Sequence, residues 1–130
     1  MVAVSRVNSC RGCTFAHERW AGRAGVTADD LRAIDMGELG DLDDRSRAAV
    51  AYAAALAEAR FRGPVAPDIA ASASDHLTPD ELASVDAVAR AMSLANLSAN
   101  TLEALFGRLR LATSPKSTRA EAQPPKRSVS

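Results

Sequence analysis

The sequence carries no surplus of charge: 16 Lys and Arg balance 16 Asp and Glu over 130 residues. Four of the basic residues, Lys116, Arg119, Lys126 and Arg127, stand against Glu121 alone in the last nineteen positions, a net of +3. The body from Met1 to Leu111 keeps twelve basic and fifteen acidic residues, a net of −3. A slightly acidic body has no electrostatic footprint for nucleic acid. The tail charges are too sparse for a binding patch and read as a solvating end. No apolar run approaches the roughly 20 residues of a membrane span, and the apolar start Met1-Val2-Ala3-Val4 meets Arg6 too soon to be a signal peptide. Neither a membrane nor a nucleic acid is an expected partner, and a cytoplasmic location is expected by default.

Aromatic residues are scarce too, at 4%, although 47% of the chain is apolar. Alanine makes up much of that apolar count. Small side chains suit closely packed helices and bury little area each. A modest alanine-rich core of this kind is expected to gain stability by assembling with copies of itself.

Only two cysteines occur, so a framework of disulfide staples is excluded. They stand together in Cys10-Arg11-Gly12-Cys13-Thr14-Phe15-Ala16-His17. If this segment opens a helix, Cys13 and His17 lie one turn apart on one face. A thiol beside a base at a helix start can become a reactive thiolate.

Helical spacing dominates the rest, and an all-α fold is expected. Val2–Val7 fits a strand or a helix end equally. Cys13, Ala16, His17, Trp20, Ala21 and Ala24 share a face of a helix from Arg11 to Ala24, stopped by Gly25. On this spacing Trp20 is expected in the core. Thr27 caps a short helix to about Asp35, with Asp30 at the capping-box position. Gly37 to Asp41 reads as a loop, and Asp43 and Asp44 begin a helix to about Arg60 that buries Ala49, Tyr52, Ala53 and Leu56. Gly63-Pro64 and Pro67 break the chain before a weak helix to about Ala73. Thr78-Pro79-Asp80-Glu81 starts another, with Leu82, Val85, Ala89 and Met92 on its apolar face. A break is expected in Asn96–Asn100, then a last stripe of Leu102, Leu105, Phe106 and Leu109. Residues 1–111 form one expected helical domain. Residues 112–130, rich in Ser, Pro, Lys and Arg, form an expected disordered tail.

Three chemistries compete for Cys10, Cys13 and His17. The first is redox: two sulfurs at this spacing can close a disulfide across one turn, and a helix start lowers the thiol pKa. Thioredoxin-like proteins place such a pair in a βαβ setting, and no matching strand pattern is present. The second is zinc, but three ligands fall short of four, and His76 lies in a distant loop. The third is covalent haem, which fails because Thr14 follows Cys13 where a histidine is needed. In the plain alternative, the cysteines are small core residues and His17 a buried histidine. The spacing, with no other cysteine in the chain, favours redox chemistry.

The stretch Val7-Asn8-Ser9-Cys10-Arg11-Gly12-Cys13-Thr14-Phe15-Ala16-His17, followed by Ala24-Gly25-Val26-Thr27, resembles the carboxymuconolactone decarboxylase family, and within it the alkylhydroperoxidase D-like branch. Asp43-Asp44-Arg45-Ser46-Arg47, Leu77-Thr78-Pro79-Asp80-Glu81-Leu82 and Asn100 to Gly107 are similar to later family segments, so the likeness runs from about Val4 to Leu109. It implies an all-helical bundle assembled as trimers or their multiples, with no cofactor and no metal. It implies an antioxidant thiol peroxidase or disulfide reductase, with an organic hydroperoxide as substrate and a lipoyl-type or thioredoxin-like dithiol as reductant. In its terms Cys13 attacks the peroxide, Cys10 resolves, and His17 is the relay base.

The chain departs from that pattern twice. The family's relay glutamate precedes the first cysteine by about twelve residues, whereas only nine residues stand here and none is acidic. Gly12 occupies a position where some members carry a second histidine. Two explanations of the shortening stay open: a start that lies upstream, or a reduced paralogue that serves as an oligomerising or partner-binding module. Of the other candidates, Glu18 and Glu38 are the nearest acids. Glu18 is expected as a solvated surface charge, Asn100 as structural and His76 as an exposed loop residue.

Overall fold

The computed structural model describes residues 1–113, with side chains as far as Gly107 except that of Asp41. The side chain of Leu109 and the tail from residue 114, expected to be disordered, lie outside the described residues. Within them the protein is all helical: α1 (Val2–Val7), α2 (Arg11–Arg23), α3 (Ala28–Met36), α4 (Asp44–Glu58), α5 (Pro67–His76) and α6 (Pro79–Thr113), with a 3-10 turn at Leu39–Asp41. No strand occurs among the described residues. No helix among them is long and apolar enough to cross a membrane.

Local chemistry sets the boundaries. At α3, the Thr27 hydroxyl accepts from the Asp30 backbone N–H while the Asp30 carboxylate accepts from that of Thr27, a reciprocal capping box. Asp43 caps α4 by accepting from Ser46 N–H at 2.9 Å. At α6, Thr78 N–H donates to Glu81 Oε2 at 2.9 Å and Pro79 takes the first helical position. Gly25, with φ +92°, ends the turn beyond α2, a backbone state that glycine adopts without Cβ strain.

The ambiguous segment Val2–Val7 is a helix, and it is the hub. It packs on α2, α3, α4 and α6. Val4 is completely buried and meets Ala53, Leu56 and Ala57 of α4 and Ala89 of α6. Val7, Tyr52, Phe61, Val65, Val85 and Met92 close around that cluster. Three of its five central side chains are alanines, so the backbones of α1, α4 and α6 can approach closely. Arg6 ties the hub to its neighbours by ion pairs with Glu18 of α2 and Asp35 of α3. Glu18 is therefore half-buried and paired, rather than a solvated charge.

Two other expectations are corrected. The helix does not break at Asn96–Asn100: α6 is continuous from Pro79 to Thr113. Asparagine weakens a helix when its side chain competes for nearby backbone, but Asn96 Oδ1 accepts from Ser5 of α1 and Asn100 Nδ2 donates to the Asn8 carbonyl in the turn after it. Trp20 is 53% exposed rather than core. Its helix rests mainly on α1 and less on α6. Ala24, on the same face, is also exposed. In the last apolar stripe, Leu102, Leu105 and Phe106 are all more than half exposed among the described residues, as are Leu94 and Leu97 before them.

Candidate functional site

The site is built on the turn between α1 and α2. Ser9 takes the left-handed region at φ +53°, which reverses the chain in two residues. The turn is held from within by Ser9 N–H to the Arg6 carbonyl (2.9 Å) and Cys10 N–H to the Ser5 carbonyl (3.0 Å). It is held from outside by α6. Asn100 Nδ2 donates to the Asn8 carbonyl and Asn8 Nδ2 donates to Ser93 Oγ, each at 2.9 Å. Asn100 thus has the structural role expected of it.

Cys10 is the N-cap of α2, and Cys13 lies in the first turn. They are joined by a disulfide across that turn. Cys10 is buried and Cys13 half-buried, so Cys13 presents the more reachable sulfur. The first turn of α2 holds no acidic residue, and the side chain of Cys10 makes no capping hydrogen bond. Unclaimed backbone N–H groups and the positive dipole end therefore surround the pair, an environment that favours a thiolate over a thiol when the disulfide is open.

One turn on, His17 is 7% exposed, the single buried side chain of α2. Its Nδ1 lies 2.8 Å from Ser5 Oγ, and the same oxygen lies 3.3 Å from Asn96 Oδ1. Ser5 and Asn96 are both completely buried. Trp20 packs against the imidazole, ring centres 5.5 Å apart. Burial pushes the His17 pKa down, and the positive amino terminus pushes it the same way. The neutral ring is the favoured form.

His17 also stands on the wall of a cavity of about 460 Å³. The lining is almost wholly apolar and comes from five helices, with Val4, Leu31, Ile34, Val50 and Val85 among its side chains. The volume lies within the usual range for small-molecule sites, roughly 300–1,000 Å³.

Of the three residues singled out from the sequence, the disulfide joins Cys10 and Cys13, while His17 stands one turn further along α2 against Ser5 and Trp20; neither cysteine lines the cavity at His17. The structure does not bring in the two candidate acids, since Glu18 is committed to Arg6 and Glu38 is exposed before the 3-10 turn. His76 is exposed as expected, but it is the last residue of α5 rather than a loop residue, because that helix runs past the expected end near Ala73. No group of three or more His, Cys, Asp or Glu side chains able to hold a metal ion occurs among the described residues. Sequence reading missed Ser5, Ser93 and Asn96. A signal for two of them was present: Ser93, Asn96 and Asn100 recur at helical spacing on one face of α6, a polar row facing the α1–α2 turn. Compared with protein-family models, curated proteins and solved structures, the chain gives no match.

Ser9 offers a test of the turn. A left-handed conformation costs a non-glycine residue about 1 kcal/mol or more, and glycine escapes most of that cost. Ser9→Gly is expected to raise unfolding stability by up to about 1 kcal/mol, less what glycine adds to the freedom of the unfolded chain. Urea denaturation of the oxidised protein reads this directly. A lower midpoint in the variant would show that the serine side chain, not the backbone conformation, matters at this turn.

Proposed function

We propose that the protein is a thiol-dependent hydroperoxide reductase and disulfide oxidoreductase of the alkylhydroperoxidase D-like type, acting in the cytoplasm in an antioxidant role. The observation that carries this reading is the Cys10–Cys13 disulfide at the start of α2, with its more reachable sulfur on Cys13 and a buried imidazole one turn beyond.

The chemistry has three steps. The Cys13 thiolate attacks the terminal oxygen of a hydroperoxide, the O–O bond breaks, and the leaving alkoxide takes a proton to become an alcohol. The Cys10 thiol then attacks the Cys13 sulfenic acid, releasing water and forming the disulfide. A dithiol of the lipoyl or thioredoxin-like kind attacks the half-exposed Cys13 sulfur, is itself oxidised to a disulfide, and restores both thiols. His17 takes the proton of Cys13 in the first step. The imidazolium so formed returns that proton to the leaving alkoxide, which closes the proton balance of the step. The apolar cavity at His17 supports an organic hydroperoxide over hydrogen peroxide as substrate.

The test starts from the dithiol form. One equivalent of an organic hydroperoxide should remove two hydrogens from the mass, and dihydrolipoamide should restore them. Two freely alkylated thiols after peroxide treatment would sink the redox reading.

The second reading, an oligomerising or partner-binding module, is favoured by one observation, the exposed apolar row from Leu94 to Phe106 on α6. The two readings share an expected assembly, a homo-oligomer that is a trimer or its multiple. Light scattering should show it, and a stable monodisperse monomer would refute it. Peroxide turnover separates the readings.

A further inference from the structure

The Ser5 hydroxyl has one proton and two buried neighbours, His17 Nδ1 at 2.8 Å and Asn96 Oδ1 at 3.3 Å. An amide oxygen can only accept, so the contact with Asn96 requires Ser5 to donate there. Ser5 then has only lone pairs to offer His17. A hydrogen bond between them requires the proton to sit on Nδ1. A neutral imidazole carries one N–H, which leaves Nε2 as a bare lone pair.

We infer that Ser5 and Asn96 hold neutral His17 as the Nδ1–H tautomer, and so make Nε2 the base of the site. The inference rests on the redox reading only for what Nε2 does; the tautomer itself stands on the hydrogen-bond geometry. The opposite arrangement, in which Ser5 donates to Nδ1, requires Asn96 to turn its amide so that Nδ2 rather than Oδ1 faces Ser5. Asn96 Nδ2 is buried without a partner as it stands, so each arrangement leaves one amide atom unpaired, and the tautomer follows from Oδ1 being the atom that faces the Ser5 hydroxyl. Nδ1 is occupied and His17 lines the cavity, so Nε2 is the ring nitrogen left for the Cys13 thiol or for a substrate. Ser5 and Asn96 act only through His17 and are positioning residues. The chain comes from three helices, α1, α2 and α6, and Asn96 lies 91 residues from Ser5. Closure of the fold therefore sets the protonation site.

Long-range 1H–15N correlation spectra of the uniformly 15N-labelled protein read the tautomer above the His17 pKa, where the ring is neutral. His76 is the only other histidine and is exposed, so it serves as an internal reference. The expected His17 spectrum has a pyrrole-type Nδ1 and a pyridine-type Nε2. Ser5→Ala and Asn96→Leu should exchange the two assignments, and Ser5→Thr, which keeps the hydroxyl, should not. The alkylation rate of Cys13 in a Cys10→Ser background should fall with Ser5→Ala and recover with Ser5→Thr. Ser5→Ala should add nothing once His17 is alanine. A pyridine-type Nδ1 in the unaltered protein overturns the inference without any variant having to fold; it would mean that Asn96 turns its Nδ2 toward Ser5. An Nδ1–H ring in a protein that never turns over peroxide would sink the redox reading and leave the tautomer assignment standing.

Discussion

Cys13→Ser is expected to reduce peroxide turnover to the uncatalysed background. The reaction begins with displacement on oxygen by a thiolate, and a serine hydroxyl is not ionised at neutral pH, nor does its oxygen have the nucleophilicity of sulfur. Cys10→Ser should behave differently. It leaves Cys13 free to be oxidised once, to the sulfenic acid, but removes the thiol that resolves it. The expected record is a single stoichiometric oxidation without multiple turnover. The difference in burial between the two sulfurs points the same way, since Cys10 is enclosed while Cys13 is half-exposed to an incoming peroxide. Neither change should unfold the protein. The disulfide spans one helical turn, and closing so short a loop removes little entropy from the unfolded chain. Organic hydroperoxide consumption with dihydrolipoamide as reductant measures all three proteins. Equal turnover by Cys13→Ser and the unaltered chain would place the chemistry elsewhere.

What could be read from the sequence was local. Thr27 with Asp30 and Thr78 with Glu81 are contacts across three residues, and both caps form where the pattern put them. Cys10, Cys13 and His17 span two turns at one helix start, so their order along α2 followed once the helix was granted. Trp20 could not be placed on periodicity alone. Helical spacing says which residues share a face, and only tertiary packing says how far along the helix that face is covered. Asn96 was misread for the opposite reason. Its intrinsic preference is against a helix interior, but a partner 91 residues away on α1 takes up its side chain. Ser5 was invisible for the same reason: a serine in a short apolar helix carries no sign of what it will face. The exposed row on α6 joins both lessons. Its period was legible, and its exposure among the described residues was not.

His17→Ala is expected to slow Cys13 alkylation, and peroxide turnover with it, by about a hundredfold at neutral pH, the lower end of what a positioned base contributes. The ring must be neutral to act. Burial first, and the positive amino terminus second, hold its pKa below the ordinary histidine value of about 6.5. The acid limb of the rate profile should therefore lie below that value and vanish in the alanine variant. The same shift gives stability a pH dependence of fixed sign. Because the folded ring resists protonation, the unfolded chain takes up the proton more readily as pH falls. The contribution of the neutral ring is fully present above the unfolded value of about 6.5 and is lost as pH drops through the lower folded value. Urea midpoints measured from pH 8 down to about pH 5, before carboxylates dominate, should thus decline in the unaltered protein. In His17→Ala that decline should flatten. A histidine that leaves both the alkylation profile and the stability slope unchanged when removed is a packing residue, and the base at this site would have to be sought elsewhere.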